Sequence, residues 1–229
     1  DFTVKGRLSE ISLDGAIELL TSAVATVPWK ETHKLVRIAL KGCDIRVEAE
    51  KRPLSNLVFL LDVSGSMSGE NKLPLVKESL KMLVSNLRVD DTVAIVVYAG
   101  ASGLVLDATS GANSRAIFNA LDRLEAGGGT NGGEGIELAY GVARQNLKEG
   151  GNNRVVLCTD GDFNLGVTGN DELLKLIRKG ADDNIQLSIL GFGTGNTHDD
   201  RMEFLSNHGD GNYGYIDSVN EARKLFVEG

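Results

Sequence analysis

Leu57-Val58-Phe59-Leu60-Leu61 is an unbroken apolar run that stops on Asp62, the pattern of a strand buried on both faces. A Gly/Ser stretch follows. Leu73, Val76, Leu80, Leu83, Val84 and Leu87 then recur at helical spacing, with Pro74 suited to a first turn. Residues 92–98 form a second apolar run dense in β-branched side chains, a strand by the same logic. Leu104-Val105-Leu106 reads as a short edge strand and residues 113–124 as a helix. A glycine loop over residues 127–133 opens another helix, on which Ile136, Ala139, Tyr140, Ala143 and Leu147 share a face. Beyond it the pattern predicts strands over 155–158, 186–192 and 213–216. Helices are expected over 171–179, after Asp199 and from Val219.

Strands and helices alternating at this pace predict an α/β fold: a doubly wound, mostly parallel central sheet with helices on both faces. The start of the chain is different. Residues 34–40 and 45–50 alternate like antiparallel strands around the turn Lys41-Gly42-Cys43-Asp44. Ile17, Leu20 and Val24 fall at spacing that suits a helix over 14–27. The expected organisation is an unassigned segment 1–27, a β-hairpin extension 28–56 packing on the domain, and the main domain 57–229.

A chain of 229 residues, 41% of them hydrophobic, holds one generous α/β domain with a real core. Lys+Arg 24 against Asp+Glu 32 gives a net charge of −8, and no basic run stands out. Nucleic acid and anionic membrane are therefore poor partners. Cys43 and Cys158 are too few for a disulfide scaffold, and Cys158 reads as a small core residue. The chain begins at Asp1, with no leader and no apolar stretch that would span a bilayer. The expectation is a soluble, monomeric piece of something longer.

The candidate chemistry lies in three loops. Asp62, Ser64 and Ser66 follow the first buried run, Thr130 lies in the glycine loop, and Asp160 follows the run at 155–158. In open α/β sheets, ligands bind outside the carboxyl ends of the strands. Two carboxylates and three hydroxyls make an all-oxygen donor set, suited to a hard divalent cation such as Mg²⁺, with Mn²⁺ or Ca²⁺ as alternatives. The alternation Asp62, Ser64, Ser66 points three oxygens the same way, and Gly65 lets the loop turn between them.

Asp62-x-Ser64-x-Ser66, with Thr130 in a glycine loop and Asp160 in a Thr-Asp-Gly loop, resembles the metal-ion-dependent adhesion site of von Willebrand factor A domains. The resemblance covers roughly residues 57–228. It implies that Ser64, Ser66 and Thr130 bind the ion directly, Thr130 mainly in a high-affinity state. Asp62 and Asp160 would act directly or through water, and an Asp or Glu of a partner protein would complete the shell. A narrower likeness begins at about Pro28. Val27-Pro28-Trp29, Asn131-Gly132-Gly133, Asp160-Gly161-Asp162-Phe163-Asn164 and Gly191-Phe192-Gly193 are similar to a bacterial group, typically lipoproteins or envelope proteins. It implies an extracytoplasmic, envelope or periplasmic location.

The function so implied is a non-enzymatic, metal-dependent protein-binding module. A metal-dependent phosphohydrolase is the alternative, with Asp62 as phosphoryl acceptor. Against it, Ser64 stands where a second Asp is usual, and no activating lysine is evident. A structural domain of a larger assembly is a third reading. His33, His198 and His208 show no metal-ligand spacing, and the calcium-loop pattern from Asp160 to Asp171 has Leu165 where glycine is required. Trp29 reads as a packing residue, and Asp210-Gly211-Asn212 as a turn.

Overall fold

The computed structural model describes residues 17–27, 29–42, 52–129, 132–161, 170–193 and 199–228. The chain divides into two compact units, Asp1–Arg52 and Pro53–Gly229. In the first unit, β1 (Ile17–Val27) and β2 (Lys30–Gly42) pair antiparallel, Val27 opposite Lys30 and Ile17 opposite Gly42. The helix expected over 14–27 is overturned: Ile17, Thr21, Val24, Thr26 and Val27 are β-branched, and a facing strand two residues away outweighs a weak helical spacing. The strand at 34–40 is real, and among the described residues it pairs with β1. Residues 45–50 lie outside those described. Trp29, expected to pack, is 81% exposed.

The second unit is built on β3 (Ser55–Asp62), all eight of whose residues are buried. Leu57, Phe59 and Leu61 point to one face of the sheet and Val58 and Leu60 to the other, so one short strand feeds two cores. On the first face pack α1 (Leu73–Val84), α2 (Ser114–Asp122) and α6 (Val219–Arg223), through Val76, Leu80, Ile117, Leu121 and Ala222. On the second pack α3 (Gly132–Gln145), α4 (Asn170–Asp182) and α5 (Asp199–His208), through Ile136, Ala139, Tyr140, Leu173, Ile177, Met202 and Leu205. Leu147, placed on the α3 face by spacing, falls beyond the helix and is 46% exposed.

The remaining strands are β4 (Thr92–Tyr98), β5 (Ser102–Ser110), β6 (Asn152–Thr159), β7 (Ile185–Phe192) and β8 (Tyr213–Ile216). Their order across the sheet is β5-β4-β3-β6-β7-β8, parallel throughout except for the antiparallel edge pair β4–β5. This is the doubly wound architecture the alternation predicts. Its lower end is tied by Asp91, fully buried, which accepts from Ser55 N at 2.7 Å and Arg88 N at 2.8 Å. Asp210 adopts a positive φ of 51° in the turn before β8, as the sequence suggests.

Candidate metal centre

β3 and β6 lie side by side where the winding reverses, with β4 and β5 on one side and β7 and β8 on the other. Loops leaving adjacent strands at such a reversal diverge and open a crevice. Asp62 is the last residue of β3, and Asp160 directly follows β6.

Asp62 is fully buried. Its Oδ1 accepts from Ser64 N at 2.9 Å, a local turn that swings the chain into a short 3-10 helix over Gly65–Ser68. Its Oδ2 accepts from the Tyr98 hydroxyl at 3.1 Å and the Thr159 hydroxyl at 3.2 Å. Ser64 Oγ and Ser66 Oγ stand 3.0 Å apart, Ser64 buried and Ser66 exposed. Thr159 Oγ1 also accepts from Gly161 N at 3.2 Å, fixing the start of the Asp160 loop.

The glycine loop is laced to the serine loop. Gly127 N donates to Val63 O at 2.7 Å, and Gly65 N donates to Gly128 O at 3.2 Å. Gly128 has φ of 83°, a conformation that a side chain would strain. Residues 127–129 are thereby held beside Asp62, Ser64 and Ser66. Thr130 and Asn131, and Asp162 in the other loop, lie outside the described residues.

Burial is the main reason the Asp62 carboxyl is held above its usual range. The hydrogen bonds from Ser64 and Tyr98 pull the other way, and the charge of Asp160 adds to the rise. Burial, then the charge of Asp62, pushes the Tyr98 phenol well up, so it stays a proton donor. The Asp160 side chain is only 4% exposed and pairs with Lys72, whose Nζ lies 2.8 Å from Oδ2. Lys72 precedes the helical run, and only the fold carries it across to the β6 loop.

Among the described residues no group of three or more His, Cys, Asp and Glu is assembled that would hold an ion. Any cation held by these loops would draw on hydroxyls as well as carboxylates. The donors fit one: the 3.0 Å between the two serine hydroxyls matches the edge, about 3.0 Å, of an octahedron of oxygens each about 2.1 Å from Mg²⁺. Tyr98, Thr159 and Lys72 escaped the sequence reading. Tyr98 had a signal, since it ends the second apolar strand just as Asp62 ends the first, and the two prove to be register partners.

The fold is that of a doubly wound α/β domain, with Asp62, Ser64, Ser66 and Asp160 on the loops at its switch point. The chain belongs to the von Willebrand factor type A domain family, whose profile matches residues 56–227. Domains of this family are commonly metal-dependent adhesion or interaction modules. The chain is 42% identical over 202 residues to the Escherichia coli protein YfbK, itself uncharacterized, covering 88% of this chain and 35% of that protein. It thus spans about a third of that relative's length. Two solved structures share the fold. Manganese-loaded TRAP protein of Plasmodium vivax has a TM-score of 0.60 at 21% identity, over 76% of this chain and 74% of that one. Proximal thread matrix protein 1 from the mussel byssus, with a zinc-occupied MIDAS motif, has a TM-score of 0.60 at 20% identity, over 77% and 45%.

Proposed function

We propose that Asp62, Ser64, Ser66, Thr130 and Asp160 hold one divalent cation, Mg²⁺ first and Mn²⁺ or Ca²⁺ as alternatives, through which the domain grips a partner protein by an Asp or Glu carboxylate. The observation that carries this is the pair of serine hydroxyls, 3.0 Å apart, in the loop leaving buried Asp62, with Asp160 opening the loop of the adjacent strand. When bound, the cation supplies a Lewis-acidic position open to an outside oxygen. The protein supplies the rest. Tyr98 and Thr159 hold Asp62 in place, Gly65 and Gly128 keep the two loops in register, and Ser66 sets its hydroxyl beside that of Ser64.

The metal-bearing folds of TRAP protein and thread matrix protein 1 support the reading. Hydrolysis of phosphate esters is disfavoured because Ser64 stands where that chemistry usually wants a second Asp. The net charge of −8 goes with a protein partner rather than nucleic acid. An extracytoplasmic site in a bacterial envelope and a monomeric domain complete the proposal.

Calorimetric titration of the chelator-treated protein with Mg²⁺ and Mn²⁺, beside Asp160→Ala, is the test. One saturable site that the variant loses is expected, as is capture of a short Glu-bearing peptide that EDTA abolishes. Equal binding by the variant would sink the assignment.

A further inference from the structure

Lys72 stands at the N-cap of α1. That position favours a short oxygen-bearing side chain and disfavours a cation, because a helix N-terminus carries partial positive charge. Lys72 makes no side-chain cap there. Its stem instead runs along Gly193, where an added Cβ would come within 3.1 Å of Lys72 Cε and 3.3 Å of Cγ. Gly193 has φ of 104°, so this floor is doubly set for glycine. The ammonium ends between two loops of the candidate centre, donating to Ser66 O at 3.0 Å and to Asp160 Oδ2 at 2.8 Å. Lys72 is 27% exposed in its side chain against 4% for Asp160.

We propose that Lys72 is a tethered monovalent cation that competes with the divalent ion for Asp160 and so sets the concentration at which the centre loads. The proposal rests on the metal-binding reading above. A nearly buried carboxylate beside a second one needs a compensating charge, and Lys72 delivers it from the chain itself. A divalent ion drawn to the same carboxylate meets a like charge at close range. The ammonium must then swing out, or the ion must bind against its repulsion. Both courses weaken binding relative to a chain without Lys72. A side chain at position 193 would press on the stem, so glycine there leaves room for it.

The test is calorimetric titration with Mn²⁺, after chelation and dialysis at fixed ionic strength, of the wild type, Lys72→Met and Lys72→Arg. Methionine keeps an unbranched apolar stem and removes the charge. Lys72→Met is expected to bind at least tenfold more tightly, and Lys72→Arg within a few-fold of the wild type. Thermal melts report independently of affinity. In chelator, Lys72→Met should melt cooperatively but below the wild type, and saturating Mn²⁺ should raise it by more. Unchanged or weaker Mn²⁺ binding by Lys72→Met, with the wild type binding normally, overturns the competition. It would make Lys72 a support that orients Asp160, and the metal reading would stand. Absence of binding by all three proteins overturns both.

Discussion

The Tyr98 hydroxyl donates to Asp62 Oδ2 at 3.1 Å from the neighbouring strand, and both side chains are fully buried. The two residues are register partners at the carboxyl ends of β4 and β3, so the sheet itself delivers the donor to the carboxylate. Tyr98→Phe keeps the ring and deletes the donor. It should cost about 1–3 kcal/mol, because a buried acceptor loses a partner while Thr159 and Ser64 remain. Divalent affinity should fall as well, since Asp62 gains freedom to turn. Urea unfolding with and without saturating Mn²⁺ measures both. A variant as stable as the wild type in both conditions would mean that Tyr98 only fills space.

Asp62→Asn tests what the buried charge costs. The carboxyl of Asp62 is held above its usual range by burial, with the charge of Asp160 adding to it. For an acid raised in this way, protonation favours the folded state. Its contribution is complete below the unfolded value of about 3.9 and is lost as pH rises through the native one. At pH 8 in EDTA, Asp62→Asn should therefore be more stable than the wild type, read as a higher melting temperature. The gap should close as pH falls toward 4, and the Mn²⁺-induced rise in melting temperature should vanish. A destabilised variant at pH 8 would show that the charge is worth more in the fold than it costs.

Much of this was legible in the sequence, and for identifiable reasons. Residues 57–61 are apolar without a break because β3 is covered on both faces, and that pattern has few other readings. Asp62, Ser64 and Ser66 sit at alternate positions in one loop, so their convergence is local and needs no knowledge of the fold. Lys72 and Tyr98 are different. The first reaches Asp160 across 88 residues of sequence and the second reaches Asp62 across 36. Only strand order and register bring them there. The start of the chain misled differently: Ile17, Leu20 and Val24 fit a helical period, while Val24 pairs with Val36 on the next strand, which spacing within 14–27 does not show.

Tyr140 offers a contrast to Tyr98. Its ring is buried on α3, packed where a Cβ at Gly180 would overlap it, yet its hydroxyl finds no partner among the described residues. Burial pushes the phenol up, while Arg144, 5.6 Å from the ring centroid, opposes this. An unpaired buried hydroxyl is a cost. Tyr140→Phe should leave stability unchanged or raise it by about 1 kcal/mol, with divalent affinity unaltered. Denaturant midpoints beside those of Tyr98→Phe decide it: opposite signs support the assignment of one paired and one orphaned hydroxyl, and equal losses would defeat it.

Cys158 sets the alkaline limit. It is a free, fully buried thiol on β6, and burial pushes its ionisation far up. In the unfolded chain the same thiol ionises near 8.5. For an acid raised on folding, the stability contribution is whole below that value and is lost as pH rises through the native one. Stability should therefore decline above about pH 8.5, before the tyrosines contribute. In a Cys43→Ser background, which leaves Cys158 as the sole thiol, iodoacetamide should modify the native protein only at the rate of unfolding. Labelling should become immediate in urea. Cys158→Ala in the same background should flatten the decline between about pH 8.5 and 10, at some cost in packing. Rapid native labelling at pH 8 would place the thiol within reach of solvent and remove the basis for the alkaline prediction.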